Sequence, residues 1–265
     1  MSKIERYAPG EFCWNDLQTT DAAAAKAFYG ALFGWTFDDL PLADGVRCSM
    51  AKLSPADTGH VAALVPLDSA RRALGVPSHW ESYVAVASAD EIDAKVAALG
   101  GLRIAPAFDV MDAGRMCAFD DPSGAGLCAW EARKHLGAAF RDEPGAPCWL
   151  ELNTRDVAAA KAFLTSLFGW TVREGDDRAR PYTELELGGR SVGGMIAMPA
   201  QIPARVPSFW LVYFAVADCD ASVAKAIELG GQVTAPPIEL PGVGRFARLR
   251  DAQGAVFAVL GPTKQ

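Results

Sequence analysis

Histidine is the scarcest reactive residue in the chain. His60, His79 and His135 are the only three among 265 residues, which leaves little from which to build an imidazole-rich metal centre. Cations are outnumbered: 25 Lys and Arg stand against 32 Asp and Glu, for a net charge of −7. A nucleic-acid surface and an anionic lipid surface both need clustered Lys and Arg, so neither partner is expected. No CxxC pair occurs among Cys13, Cys48, Cys117, Cys128, Cys148 and Cys219. Most of the six sit inside apolar runs, where a free thiol acts as a small hydrophobe. The longest apolar run, Phe209 to Ala217, is far shorter than the ~18 residues that cross a bilayer, so it reads as a buried strand. The opening MSKIERYAPGEFCW has no apolar h-region of a secretory signal. Reduced thiols and no signal point to the cytoplasm. With 51% apolar and 22% charged residues the composition is that of a globular protein, and disorder is excluded.

What is present is a repeat. Cys13-Trp14, Asp16-Leu17, Thr19, Asp21, Lys26-Ala27-Phe28 and Leu32-Phe33-Gly34-Trp35-Thr36 recur as Cys148-Trp149, Glu151-Leu152, Thr154, Asp156, Lys161-Ala162-Phe163 and Leu167-Phe168-Gly169-Trp170-Thr171, at a constant offset of 135 (Cys13 to Cys148). Downstream, Pro77-Ser78, Trp80, Tyr83, Leu99-Gly100-Gly101, Gly114-Arg115 and Asp121 match Pro207-Ser208, Trp210, Tyr213, Leu229-Gly230-Gly231, Gly244-Arg245 and Asp251 at an offset of 130 (Trp80 to Trp210). Two domains follow, 1–132 and 148–265, joined by a Gly- and Pro-containing linker at 133–147.

Each domain divides again, into units of about 10–74 and 78–132, then 148–200 and 207–262. Every unit opens with a strand: Phe12–Gln18, Trp80–Ala87, Cys148–Asn153 and Phe209–Ala217. A helix follows. The first runs from Asp21 to Gly34, with Phe28 and Leu32 four apart. The second runs from about Asp90 to Gly100, the third from Asp156 to Gly169, and the fourth carries Val223 and Ile227 and ends at Gly230. An acid at the start complements the helix dipole, and a glycine just past the end takes the left-handed cap. Alternating segments and turns come next, Tyr182–Leu187 before Gly188-Gly189 being a clear hairpin signal. The chain reads as α+β: four βαβββ units, paired into two domains with curved mixed sheets whose concave faces make pockets. Which units pair is left open. One chain supplies four units, so a monomer is plausible.

The segments Trp14–Trp35, Trp149–Trp170, PSHWESYVAV, PSFWLVYFAV, and the closing GR…DDPSGA and GR…DAQGA resemble the vicinal oxygen chelate superfamily, which includes glyoxalase I, extradiol dioxygenases, and bleomycin- and fosfomycin-resistance proteins. The likeness covers nearly the whole chain and is nearest to tandem-domain, glyoxalase-like actinobacterial members, often labelled hydroxylases. It implies two glyoxalase/bleomycin-resistance-like domains. It also implies a divalent metal held by His, Glu or Gln on the opening strand of each unit and on the last strand of each pair. The residues at the implied positions are Trp14, Glu81 and Cys128 in the first domain, and Trp149, Leu211 and Ala258 in the second. Indole has no lone pair to give a metal, and one carboxylate does not hold a dication that needs three protein ligands. No metal and no cofactor are therefore expected. A displaced site built from His79 and Glu81 is the alternative, and it lacks a third ligand.

Strand alternation turns Trp14, Asp16 and Gln18 inward in the first unit, and Trp149, Glu151 and Asn153 in the third. Glu81 and Tyr83, Cys128 and Trp130, and Leu211 and Tyr213 join them, while Leu17, Leu150 and Leu152 face the helices. Polar inward residues suit a cleft rather than a sealed core. The ligand-binding candidates are thus Trp14, Asp16, Gln18, Glu81, Tyr83, Cys128, Trp130, Trp149, Glu151, Asn153 and Tyr213. With Glu81 in place of Leu211, the first cleft is the more polar. The glycine patterns at 124–129 and 242–247 precede strands, so they are hairpin turns and not dinucleotide loops. Arg115 and Arg245 read as strand-edge arginines rather than anion clamps.

Three functions compete. The first is metal-free binding of a small aromatic or amphipathic molecule in a concave cleft. The second is an enzyme of the superfamily with an atypical site (a lactoylglutathione lyase, isomerase or dioxygenase-like activity), in which Asp16 or Glu81 would be a general base with a raised pKa. The third is an interaction protein whose clefts are filled.

Overall fold

A computed structural model describes residues 3–42, 45–177 and 181–263. Two eight-stranded sheets form. The first domain contributes β1 (Phe12–Thr19), β2 (Thr36–Pro41), β3 (Arg47–Lys52), β4 (Ala62–Pro66), β5 (His79–Ala85), β6 (Leu102–Val110), β7 (Gly114–Asp120) and β8 (Gly126–Ala132). The second contributes β9 (Pro147–Thr154), β10 (Thr171–Glu174), β11 (Thr183–Leu187), β12 (Arg190–Ala197), β13 (Phe209–Ala215), β14 (Gln232–Leu240), β15 (Gly244–Arg250) and β16 (Val256–Gly261). The strand orders are the same in both: β2-β3-β4-β1-β5-β8-β7-β6 and β10-β11-β12-β9-β13-β16-β15-β14. Neighbouring units therefore pair. Their opening strands join antiparallel at the centre, with Asp16 opposite Glu81 and Glu151 opposite Leu211.

Five helices, α1 (Ala22–Phe33), α2 (Ser69–Ala73), α3 (Ala89–Val96), α4 (Val157–Phe168) and α5 (Cys219–Glu228), complete the described residues, with one 3-10 turn at Ala97–Leu99. The long helices begin and end where local chemistry dictates. The carboxylates of Asp21 and Asp156 accept from the amides of Ala24 and Ala159, and Gly34 and Gly169 take the left-handed caps. The second helix starts at Ala89, within a residue of the expected place. Ser88 caps it, its hydroxyl accepting from the amide of Glu91, and Asp90 lies in the first turn. The short α2 was not anticipated from the sequence. It has no buried residue, so it has no apolar stripe to reveal it.

The helical sides of the two sheets face each other and form one core. Leu17, Leu150 and Leu152 lie in it as expected. Aromatic rings tie the domains across this interface: Phe33 and Trp35 meet Phe214 at centroid distances of 5.0 and 5.6 Å, and Phe12 meets Trp170 at 5.5 Å. Each such ring contributes roughly 1.5–3 kcal/mol by burial. The repeat shows in the bonds themselves. Trp35 donates its indole N–H to the carbonyl of Gly145, and Trp170 donates to that of Gly10, each at 2.8 Å.

The segment between the domains is not a free tether. Ala138, Ala139 and Phe140 are buried, and the amides of Ala138 and Ala139 donate to the carbonyls of Cys13 and His60. Its polar, glycine-bearing sequence concealed a strap that packs on the first domain.

Candidate functional site

The opposite faces of the sheets carry two smaller apolar clusters, one at each expected cleft. Trp14, Tyr83, Cys128 and Trp130 share the first with Cys13, Cys48 and Ala63. A register shift between Phe12 and Trp14 lets Cys13 and Trp14 both face this cleft. His135, from the interdomain strap, stands edge-on to Trp14 at 4.4 Å, and its backbone carbonyl accepts from the Trp130 indole. Burial lowers the His135 pKa to about 4, so its imidazole is neutral at pH 7.

At the mouth of the first cleft lies a connected polar network. The Gln18 amide donates to Asp16 Oδ1 at 2.8 Å, and the Tyr83 hydroxyl donates to Asp16 Oδ2 at 2.8 Å and to Glu81 Oε2 at 3.4 Å. Arg71 reaches in from α2. Its guanidinium donates to Asp68 Oδ2 at 2.9 Å, to Gln18 Oε1 at 3.2 Å and to Glu81 Oε1 at 3.4 Å. His79 Nε2 lies 3.5 Å from Glu81 Oε1. Asp16 is buried, and no cation touches it. Desolvation, with the charge of Glu81 added to it, pushes its pKa up to about 7. The same burial, with Asp16 beside it, holds the Tyr83 phenol well above its ordinary value.

The second cleft gathers Trp149, Tyr213, Leu211 and Ala258. Glu151 and Asn153 occupy the places of Asp16 and Gln18, and the Asn153 amide donates to Glu151 Oε1 at 3.2 Å. The remainder differs. Arg248 of β15 donates to Glu151 Oε1 at 2.7 Å, and the Trp149 indole donates to the Tyr182 hydroxyl at 2.8 Å. Tyr182 lies against Gly194, where an added Cβ would fall 1.9 Å from the phenol oxygen, so only glycine leaves it room. Burial raises the Glu151 pKa, opposed mainly by Arg248.

All eleven candidate residues thus fall on the concave faces, split between two clefts. Arg71, Arg248, Tyr182 and His135 were not identified from the sequence. Arg71 sits on a helix without a pattern, the first domain has no arginine or tyrosine at the places of Arg248 and Tyr182, and His135 lies in the strap. Arg115 and Arg245 bind Asp90 and Asp220 at 2.8 and 2.9 Å, pinning β7 and β15 to helix starts.

A family model described as the "Glyoxalase/Bleomycin resistance protein/Dioxygenase superfamily" matches residues 147–259. "Putative glyoxylase CFP32" of Mycobacterium tuberculosis is 44% identical over the full length of both chains. The chain belongs to the glyoxalase/bleomycin-resistance/dioxygenase superfamily. A second superfamily relative, "Anthracycline biosynthesis protein DnrV" of Streptomyces peucetius, is 35% identical, with 97% of this chain and 95% of that one covered. Among solved structures, the Mn(II)-bound glyoxalase of Novosphingobium aromaticivorans superposes with a TM-score of 0.63 at 17% identity, covering all of this chain and 84% of that one. The 2,3-dioxygenase LapB of Pseudomonas sp. KL28 gives 0.61 at 14%, covering all of this chain and 94% of that one. These two share the fold.

A divalent metal, as in the manganese-bound neighbour, does not fit the side chains present. Asp16 is engaged by Gln18 and Tyr83, and Glu81 by Arg71. Cys128 is a buried thiol whose pKa is pushed well above normal, chiefly by desolvation, whereas metals bind the thiolate. Trp149, Leu211 and Ala258 offer no donor in the second cleft. Among the described residues no group of three or more His, Cys, Asp or Glu side chains is placed to hold an ion. No helix among them is long and apolar enough to cross a membrane.

Proposed function

We propose that the first concave cleft binds a small aromatic or amphipathic molecule without a metal. The observation that carries this reading is the Asp16–Tyr83–Glu81 network at the mouth of a cleft walled by Trp14 and Trp130. Buried carboxyls are costly to keep unless they are used or fully compensated, and Asp16 has hydrogen bonds but no counter-ion. Aromatic walls supply contact area at low entropic cost, and the polar network supplies orientation.

The test is calorimetric titration of the metal-stripped protein with a panel of planar aromatic and dicarbonyl compounds, alongside elemental analysis. Binding that survives chelation and weakens at least ten-fold in Trp14→Ala supports the reading, the scale of a hot-spot aromatic. Near-stoichiometric manganese, iron, nickel or zinc, or ligand binding restored only by one of them, would overturn it.

A second reading starts from the buried Asp16 carboxyl, held by Gln18 and Tyr83 and facing Glu81. Burial raises its pKa toward neutrality, which suits general acid–base chemistry on a substrate in that cleft. Turnover of a bound compound that is lost in Asp16→Asn while binding persists would favour an enzyme.

A further inference from the structure

The chain contains its own comparison for the first cleft. Position by position, the sheets superimpose: Ala118 pairs with Cys128 and that with Tyr83, as Arg248 pairs with Ala258 and that with Tyr213. Ala118 is thus the counterpart of Arg248. Likewise Met50 pairs with Ala63 and that with Asp16, as Glu184 pairs with Gly194 and that with Glu151. Counting two residues back makes Cys48 the counterpart of Tyr182.

In the second cleft the buried carboxylate therefore holds a guanidinium at 2.7 Å, and the tryptophan N–H holds a phenol oxygen at 2.8 Å. Both partners are large side chains. In the first cleft both are cut back, arginine to alanine and tyrosine to cysteine. No cation takes the place of the arginine, and the ring beside Trp14 is instead His135, edge-on at 4.4 Å. Asp16 receives only the neutral Gln18 and Tyr83, and among the described residues no hydrogen bond reaches the Trp14 indole. Arg71 does not substitute, because its guanidinium is spent on Asp68, Glu81 and Gln18.

We propose that the first cleft receives a cationic amphipathic ligand, whose ammonium or guanidinium group docks on Asp16 where Arg248 docks on Glu151 and whose apolar body lies against Met50 and Val65, the half-buried apolar neighbours of Asp16 and Gln18 on β3 and β4. This rests on the small-molecule reading above and names the ligand's chemistry. The acid pair supports it from charge alone: Asp16 and Glu81 are cross-strand neighbours, and like charges facing each other repel, a repulsion that an added cation removes. The class is an aromatic or alkyl amine or guanidine, and a carboxylate-bearing ligand is disfavoured.

The probes are 2-phenylethylguanidinium and 2-phenylethylammonium, with 2-phenylethanol as the neutral isostere, titrated into the intact chain at pH 8. The cations should bind at least ten-fold tighter than the alcohol. Asp16→Asn should abolish that preference. Ala118→Arg should supply the cation internally and remove cation binding. Arg248→Ala should free Glu151 as a second cation site and change the stoichiometry from one to two. Cation affinity in the wild type should rise from pH 6 to pH 8 as Asp16 ionises. Glu81 and His79 on β5, Arg71 on α2, Cys48 on β3, and Tyr83 and Cys128 also face this point. Loss of the pH effect in Asp16→Asn assigns it to Asp16. Equal binding of alcohol and cations, or a preference untouched by Asp16→Asn, would overturn the inference alone. Binding of none of the three would overturn the small-molecule reading as well. If Ala118→Arg does not fold, the near-isosteric Asp16→Asn decides.

Discussion

The two domains share backbone, strand order and most of their core, yet they handle buried polar groups in opposite ways at two places. In the clefts the second domain is self-sufficient. Arg248 neutralises Glu151, and Tyr182 caps Trp149. The first domain leaves Asp16 without a counter-ion. At the interface between the domains the asymmetry is reversed. Trp80 donates to the Tyr29 hydroxyl at 3.1 Å, which donates to Asp251 at 3.0 Å, closing a buried chain between the domains. At the equivalent positions stand Trp210, Leu164 and Asp121. Without the hydroxyl, the Trp210 indole nitrogen and Asp121 Oδ2 are buried with no hydrogen-bond partner among the described residues. Duplication fixes where the atoms of the backbone lie. Single side chains then decide where charge and hydrogen-bonding capacity remain unspent, and such places are candidates for function or weakness.

The comparison can be broken most forcefully in the second cleft. Arg248→Ala leaves Glu151 buried and unpaired, and the loss in urea unfolding should be about 3 kcal/mol. Adding Glu151→Gln should recover part of it. An effect below about 1 kcal/mol would mean that the second cleft does not depend on internal neutralisation. Next comes the domain interface. Tyr29→Phe strands Trp80 and Asp251 as Leu164 already strands their counterparts, and it should cost about 2 kcal/mol. A neutral result would show that the buried chain adds nothing over its apolar twin.

A smaller and pH-dependent effect belongs to Asp16. Its folded pKa of about 7 lies above its unfolded value, so the folded protein binds the proton more tightly. Stability should therefore fall as pH rises from about 4 through about 7, and remain lowest above that window. Asp16→Asn should flatten this slope and raise stability at pH 8 by on the order of 1 kcal/mol. Guanidinium unfolding at pH 5 and pH 8 tests the sign. The weakest contrast is Arg115→Ala against Arg245→Ala. Both are strand-edge ion pairs, but Arg115 bonds Asp109 and the Ala107 carbonyl besides Asp90, whereas Arg245 holds Asp220, so both thermal midpoints should shift little and that of Arg115→Ala slightly more. Equal shifts would show that the extra contacts of Arg115 add nothing.

Much of the architecture is legible in the sequence. The helix limits at Asp21 and Gly34, and at Asp156 and Gly169, are local hydrogen-bond chemistry and were read to within a residue. The inward set on the opening strands followed from a period of two. Tyr182 and Arg248 were not legible, because they come from strands and turns whose reach is not encoded in spacing. Arg71 was invisible for a related reason: α2 buries nothing, so it leaves no pattern. The packing of the strap was not legible, because polar composition reports solvent contact on average, whereas Ala138 and Ala139 are held by backbone bonds that any sequence can make.

By itself, then, the sequence determined the repeat, the four units, their caps and the faces of their strands, because each depends on neighbours within a turn or a pleat. Tertiary structure alone decided that adjacent units pair, that His135 leans on Trp14, and that Glu151 meets an arginine while Asp16 does not. Those outcomes depend on side chains far apart in the chain meeting in low dielectric, where one guanidinium more or less changes the chemistry of a whole cleft.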